Sequence, residues 1–326
     1  MIKKTAWLKS RGMNPYHNQA LERVLMDTVA PGECRLYLWQ NRRTVVIGRN
    51  QNPWRECHIA RLEEDGGHLA RRLSGGGAVY HDTGNLNFTF LIRKADYDVA
   101  RQLEVILRAV KLLGIRAEKS GRNDLTAEGR KFSGNAFYES GDFCYHHGTL
   151  LLDTDTEEMS RYLNVAADKL AAKGVASVRA RVVNLRELCP GLELAALEDA
   201  LVKAFGEVYD CVPRPMEEEE LAKELVAQQE AFFGDSAWRL GYHVPFTVEL
   251  EDRFAWGGVS LQLHVEKGTI LEAAVYSDAM EGDVIAAMGP ALRGCPLEAA
   301  ALKARLSALD GGRLGMDIAG LLENHL

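Results

Sequence analysis

Apolar residues recur with helical spacing at Val99, Leu103, Ile106, Leu107 and Val110, and Gly114 follows as a stop. An earlier helix is expected from Asn14-Pro15, since Asn caps and Pro is tolerated at the first helical position. Ala20, Val24 and Leu25 supply part of its apolar face. Elsewhere the period falls to two. Residues 44–47 read as a strand, and Leu86, Phe88 and Phe90 alternate as another. A turn at Thr83-Gly84-Asn85 would join that strand to 78–81 as a hairpin. Segments 131–138 and 143–152 read as paired strands. Thr154-Asp155-Thr156-Glu157 has capping-box spacing for the next helix. Glu217 to Glu220 begin another, whose positive N-terminal end favours acids; the run reads as a solvated helix start rather than a metal site.

Around residues 242–254 the helical pattern stops. Strands near 259–265 and 269–277 follow, with a turn at Lys267-Gly268, then two or three helices to Leu326. The boundary falls near 245–252, giving domains 1–248 and 249–326. Strands and helices do not alternate regularly, so the class is α+β rather than doubly wound α/β.

Composition narrows the partners. The chain has 326 residues, 47% hydrophobic and 26% charged, as expected for a globular protein with room for two domains. A net charge of −7 repels nucleic acid and anionic lipid, so neither is expected as a main partner, while a local basic pocket is compatible. Six cysteines, at 34, 57, 144, 189, 211 and 295, form no Cys-x-x-Cys pair and read as reduced thiols of a cytoplasmic protein. Residues 1–10 lack the apolar stretch of a signal peptide, and no apolar run approaches the ~18 residues of a membrane span.

Residues 71–90 carry the densest chemistry. Gly75, Gly76 and Gly77 follow Arg71 and Arg72, so a ligand could press on bare main chain while guanidinium forks meet phosphate or carboxylate. An ordinary tight turn would use the same glycines. Common nucleotide motifs are absent: Gly-Lys does not occur, so there is no Walker A sequence, and Tyr80 stands where a Rossmann fingerprint needs glycine. Cys144, His146 and His147 make a poor zinc site because neighbours on a strand point to opposite faces. Three further segments place cations or histidines among small residues: Asn123-Asp124 with 130–136, His146 to Leu150, and 173–185. Singly, each reads as a polar strand or an exposed loop.

Together these segments resemble the lipoate–protein ligase family. The family's Arg-Arg-x-Ser-Gly-Gly-Gly-Ala-Val, an aromatic, then His-Asp-x-Gly-Asn is met by 71–85. Its Lys-x-Ser-Gly-x-Ala is met by 131–136, its His-His-Gly-Thr-Leu-Leu by 146–151, and its lysine-and-arginine loop by 173–185. Trp256-Gly257, Lys267-Gly268 and Ser277-Asp278 look like the family's small C-terminal domain. Leu73 departs from relatives that carry a third arginine there.

The resemblance implies a mixed sheet flanked by helices, as in biotin ligases and class II aminoacyl-tRNA synthetases, plus a small α/β C-terminal domain. It implies two steps: lipoate and ATP give lipoyl-adenylate and pyrophosphate, and the acyl group then passes to one lysine of an acceptor domain. Acceptors would be 2-oxoacid dehydrogenase E2 subunits or the glycine-cleavage H protein. Lys131 would contact both the acyl carbonyl and the α-phosphate, relieving the repulsion of two anions. Arg72 would hold phosphate, with Gly77, Ala78, Val79 and Tyr80 along the nucleotide. Ser74, Gly75 and Gly76 would flank the acyl chain, with His81 and His147 as further substrate contacts. Asn123 and Asp124 would face the nucleotide, Asp124 coordinating Mg²⁺. Lys173, Arg179 and Arg181 would close over the adenylate and exclude water. Two rivals use the same residues differently: an octanoyl or lipoyl transferase working through a cysteine thioester, and a lipoate-binding protein without catalysis. Against the first, no cysteine lies between Cys57 and Cys144.

Overall fold

A computed structural model describes residues 2–121, 123–164, 182–241, 244–309 and 312–323. The chain divides into two compact units. The first comprises Met1–Val46, Cys57–Ala70 and Val79–Asp235, and the second Ile47–Glu56, Arg71–Ala78 and Ser236–Leu326. The chain therefore visits the second unit twice before its C-terminal part begins.

In chain order the strands are β1 (Lys4–Lys9), β2 (Glu33–Trp39), β3 (Thr44–Ile47), β4 (His68–Arg71), β5 (Val79–His81), β6 (Asn85–Arg93) and β7 (Glu118–Ser120). Then come β8 (Asp124–Ala127), β9 (Arg130–Ser140), β10 (Phe143–Leu151), β11 (Arg214–Met216), β12 (Val248–Phe254), β13 (Gly257–Glu266) and β14 (Thr269–Ser277). Among the described residues, eight form one mixed sheet in the order β11-β1-β2-β6-β10-β9-β8-β7. β1 runs parallel to both neighbours. The pairs β2–β6, β6–β10, β10–β9, β9–β8 and β8–β7 are antiparallel.

One face of this sheet supplies Leu36, Leu38, Phe88, Phe90, Phe132 and Leu150 to the core of the first unit. They pack with Leu103 and Ile106 of the helix Val99–Leu112 and with Leu201 and Phe205 of the helix Leu194–Tyr209. Burying each large apolar side chain contributes about 2 kcal/mol. The expected spacing at 99–110 is thus the inward stripe of one helix, and Asp98 caps it by accepting from the Arg101 amide at 3.0 Å. The helix Pro15–Asp27 also starts as the sequence reading expects, with the Asn14 side chain accepting from Tyr16 N at 2.9 Å.

The second unit carries the sheet β12-β13-β14 and the helices Gly282–Leu292, Ala299–Ser307 and Arg313–Glu323. Leu261, Leu263, Ile270, Met288, Leu302 and Ile318 fill its core. Lys267 and Gly268 both have positive φ, 49° and 75°, the two-residue hairpin conformation that suits strand twist.

The α+β class and the mixed sheet with flanking helices are as expected. Three local expectations are corrected. β5 and β6 do not form a hairpin: β5 pairs with β3 in a separate sheet ordered β4-β3-β5. Their connection is instead tied elsewhere, because Asp82 accepts from the amides of Gly84 at 2.9 Å and Asp155 at 2.8 Å. A Cβ on Gly84 would lie 2.0 Å from the Asp153 carbonyl oxygen, so the turn is pressed onto the end of β10. The helix after β10 is capped by Asp155 rather than Thr154; Asp155 accepts from Glu157 N and Glu158 N. The four acids begin a 3-10 turn, Glu218–Glu220, ahead of the helix Lys223–Gly234. They are paired rather than only solvated: Arg11 reaches Glu217 at 2.6 Å and Glu219 at 2.8 Å, and Arg214 reaches Glu220 at 3.0 Å. The helical pattern does stop before 248–254, which is a strand, β12, that the sequence reading did not place. Among the described residues no helix is long and apolar enough to cross a membrane.

Candidate active site

In the first unit the site is built on β8, β9 and β10. Alternation would place Lys131, Ser133 and Asn135 on one face of β9. The pairing with β8 breaks this rule: Leu125 faces Ser133, but the next residue, Thr126, faces Lys131. Phe132 is thus an extra residue, a bulge that re-aims the side chain before it. Phe132 itself is fully buried in the core. The Lys131 amine consequently lies over Gly134, where an added Cβ would sit 2.8 Å from Nζ. Glycine there leaves the amine this position.

Lys131 Nζ pairs with Asp124 Oδ1 at 2.7 Å, and each side chain is 37% exposed. A pair this exposed is worth about 1 kcal/mol or less, so either partner can exchange it for a ligand group at small cost. The Lys131 carbonyl accepts from Val183 N at 2.9 Å, which holds the strand while leaving the side chain free to move.

Asn123 is fixed by an exchange with Asn135. Its Nδ2 donates to Asn135 O at 3.0 Å, and its carbonyl accepts from Asn135 N and Nδ2, both at 2.9 Å. Asn135 Oδ1 in turn meets His146 Nε2 at 2.8 Å, and His146 Nδ1 meets the Gln102 side chain at 3.1 Å. A neutral ring can donate from one nitrogen only. As placed, Nδ1 faces Gln102 Oε1 and Nε2 faces Asn135 Oδ1, two acceptors for one ring proton; turning the Gln102 amide over would bring its nitrogen, without a partner as placed, to Nδ1. Burial, and secondarily the neighbouring His147, lowers the His146 pKa to about 3, so the ring is neutral. His146 is therefore a packed residue that positions Asn135 and, through it, Asn123.

His147 points to the opposite face, as strand geometry requires. Its Nδ1 meets Glu22 Oε1 at 2.9 Å, and the same oxygen accepts from Thr89 Oγ1 at 2.7 Å. Thr89 Oγ1 also accepts from Trp39 Nε1 at 3.1 Å. This buried polar chain runs from the helix Pro15–Asp27 across β2, β6 and β10. His81 packs edge-on to Trp39, centroids 5.9 Å apart, and its Nδ1 meets Asn41 Nδ2 at 3.1 Å. Tyr80 donates to Glu158 at 2.6 Å, and burial raises its pKa. Val79 precedes it on β5, half-buried.

The second unit holds the glycine loop. Arg72 is 6% exposed and spends its guanidinium on that loop: Nη2 donates to Gly75 O and Gly77 O, both at 2.8 Å, and Nε to Ser74 Oγ at 3.1 Å. The glycines differ in what they require. A Cβ on Gly75 would lie 2.2 Å from the Ala279 carbonyl oxygen. Gly76 has φ +90° and donates from its amide to that same oxygen at 3.1 Å. At Gly77 nothing lies within 4 Å of the Cβ position, so only this glycine presents an open face. Ala78 ends the loop, and the chain passes to the first unit at Val79.

The structure thus brings Lys131 of β9 together with Asp124 at the start of β8 and Asn123 just before it, and Arg72, Ser74, Gly75 and Gly76 together in the loop. Lys173, Arg179 and Arg181 lie outside the described residues. Sequence reasoning missed Glu22, Thr89, Trp39, Asn135 and Gln102. The available signal was the pair His146-His147: two polar rings on opposite faces of a central strand each need a separate buried partner.

The cysteines offer no activated thiol where a shift is resolved. Burial raises Cys34 and Cys57 to about 12 and Cys144 to about 11.

Residues 14–206 match the family model of the lipoyl protein ligase A/B catalytic domain, and residues 243–319 match the bacterial lipoate protein ligase C-terminus. The chain is 43% identical over 314 residues to lipoate-protein ligase A of Psychrobacter cryohalolentis, covering 93% of this chain and 92% of that one. Its fold is similar to that of P. falciparum LipL1 in complex with lipoate, with TM-score 0.85 and 27% identity over 97% of this chain and 98% of that one. It is also similar to a lipoate-protein ligase A bound with ATP, with TM-score 0.64 and 25% identity over 74% of this chain and 99% of that one. A catalytic-domain match over more than half the chain, a C-terminal-domain match beyond it and a near full-length relative lead to one conclusion: this chain belongs to the lipoyl protein ligase A/B family.

Proposed function

We propose that the chain joins lipoate to protein lysines at the expense of ATP. In the first step a lipoate carboxylate oxygen bonds to the α-phosphorus, and the bond to the β-phosphate oxygen breaks, releasing pyrophosphate. In the second, an acceptor lysine amine bonds to the acyl carbon, AMP leaves, and the amine loses a proton. Catalysis of the first step is charge placement. The observation that carries this reading is Lys131, turned by the β9 bulge over Gly134 and held, among the described residues, by a weak pair to Asp124 at 2.7 Å. A charge-assisted bond to a phosphate or carboxylate oxygen contributes about 1.5–3 kcal/mol, enough to draw the amine from that pair.

Asp124 suits Mg²⁺, which takes one or two carboxylates and completes its shell with phosphate and water. A single half-exposed carboxylate beside a lysine fits that donor set, and once Lys131 has moved to substrate its Oδ1 is released. The ion would neutralise polyphosphate charge. Lys173, Arg179 and Arg181 would cover the adenylate, as the family likeness implies. Acceptors would be lipoyl domains of 2-oxoacid dehydrogenase E2 subunits and the glycine-cleavage H protein, in the cytoplasm.

The thioester route is disfavoured by the raised Cys34, Cys57 and Cys144 thiols. Pyrophosphate release with ATP, Mg²⁺ and free lipoate, paired with the intact mass of an added lipoyl domain, tests the reading. Lipoate-dependent pyrophosphate and a gain of one lipoyl group are expected. Acylation that needs no ATP and disappears in a cysteine-free variant would instead establish the transferase.

A further inference from the structure

Arg71 stands beside Arg72 but does something else. It is 4% exposed, and among the described residues all of its acceptors are main-chain carbonyls of the second unit. Nε donates to Trp238 O at 2.9 Å, and Nη1 to Arg49 O and Gln51 O, both at 2.8 Å. Among the described residues no carboxylate pairs with it and nothing accepts from Nη2. A buried cation without a counter-ion is costly.

Arg71 lines a cavity of about 510 Å³ that belongs wholly to the second unit. Arg49 and Arg293 line it too, with Trp238 and Tyr276, and the described lining contains no Asp or Glu. Arg49 is already paired, with Asp283. Arg293 is exposed at the end of the helix Gly282–Leu292 and has no ion pair or hydrogen bond among the described residues. Gly241 keeps the space near Arg71 open: a Cβ there would lie 3.2 Å from Nη2. In a chain of net charge −7, a cavity whose described lining holds three arginines, one of them paired, and no acid is locally positive.

We propose that this cavity binds a phosphate-class anion, with Arg71 Nη2 as its fixed donor and Arg293 as the side chain that swings in to complete the site. Guanidinium groups suit phosphate oxygens in geometry and charge. Two sources share this chemistry: inorganic phosphate, and pyrophosphate, the co-product of the proposed adenylation. The site itself does not depend on that reading, since binding is measured without ATP or lipoate.

The test is calorimetric titration of the full chain with sodium pyrophosphate and, separately, sodium phosphate, at constant ionic strength. Saturable binding is expected, about tenfold weaker in Arg293→Gln and unchanged in Lys131→Ala. Because Arg293 is exposed, its variant should keep the anion-free melting midpoint, so a folding defect is separated from a lost contact. Tighter binding of pyrophosphate would identify the diphosphate as occupant, and equal affinities a single phosphate group. No saturable binding of either anion would overturn the proposal. So would binding abolished by Lys131→Ala and retained by Arg293→Gln, which would put the anion at the nucleotide.

Discussion

The chain uses its basic residues in two contrasting ways. Arg71 and Arg72 are 4% and 6% exposed and donate mainly to main-chain carbonyls. Lys131 has 37% of its side chain exposed and holds one carboxylate at 2.7 Å. The guanidiniums shape a loop and are expensive to remove. The ammonium shapes nothing that the strand's main chain does not already hold, so it is available for chemistry. The two glycine-bearing motifs divide likewise. Gly75 yields to the chain's own Ala279 carbonyl, while Gly134 yields to a side chain with a proposed task.

This contrast exposes itself most directly to Lys131→Ala. Lipoate-dependent pyrophosphate release should fall by at least about 10³-fold, some 4 kcal/mol of lost transition-state stabilisation. The melting temperature should stay within about 2 °C, and a large drop would show Lys131 to be structural after all. Arg72→Ala should behave in the opposite way. Leaving the carbonyls of Gly75 and Gly77 without donors costs about 3 kcal/mol, read as a lower urea midpoint. Arg72→Lys should recover less than half, since an ammonium cannot span both oxygens.

Gly134→Ala probes the lysine's placement without removing it. The new methyl would meet Nζ, the far end of a flexible side chain, so stability should change by less than about 1 kcal/mol. Turnover should nonetheless fall roughly 10- to 100-fold as the amine is pushed aside. A turnover loss no greater than twofold would mean that the bulge does not set the lysine's working position.

The mildest effect concerns His146. Its folded pKa, lowered to about 3, lies below the ordinary value of about 6.5. The unfolded chain therefore takes up the proton first, so stability is complete above about 6.5 and declines as pH falls toward 3. Urea unfolding should lose about 1–2 kcal/mol between pH 7 and pH 5 from this residue. His146→Gln should flatten that slope; an unchanged slope would assign the acid sensitivity to other groups.

Much of this was legible along the chain. The helical stripe from Val99 to Val110, the Asn14 cap and the Lys267-Gly268 turn are encoded within a few residues, where side-chain spacing and allowed dihedral angles decide the outcome. The opposite facing of His146 and His147 follows from strand geometry alone. The motifs at 71–85 and 131–136 were recognisable because consecutive residues carry them. Partners distant in sequence were not legible. Glu22 meets His147 across 125 positions, and Gln102 meets His146 across 44. Nor was the pairing of β5, since Thr83-Gly84-Asn85 has hairpin composition whichever strands it joins.

What the residue order settled is the local vocabulary: helix faces, caps, the hairpin at 267–268 and the reactive residue types. What needed the folded chain is where those residues point and whom they meet. A single extra residue at Phe132 turns Lys131 onto Gly134's face, and the segments 47–56 and 71–78 join the unit that contains the C-terminus. The reason is range. Dihedral preferences and side-chain periodicity act over a few residues, whereas register shifts and strand partners are chosen by burial and hydrogen bonding summed over segments far apart in the chain.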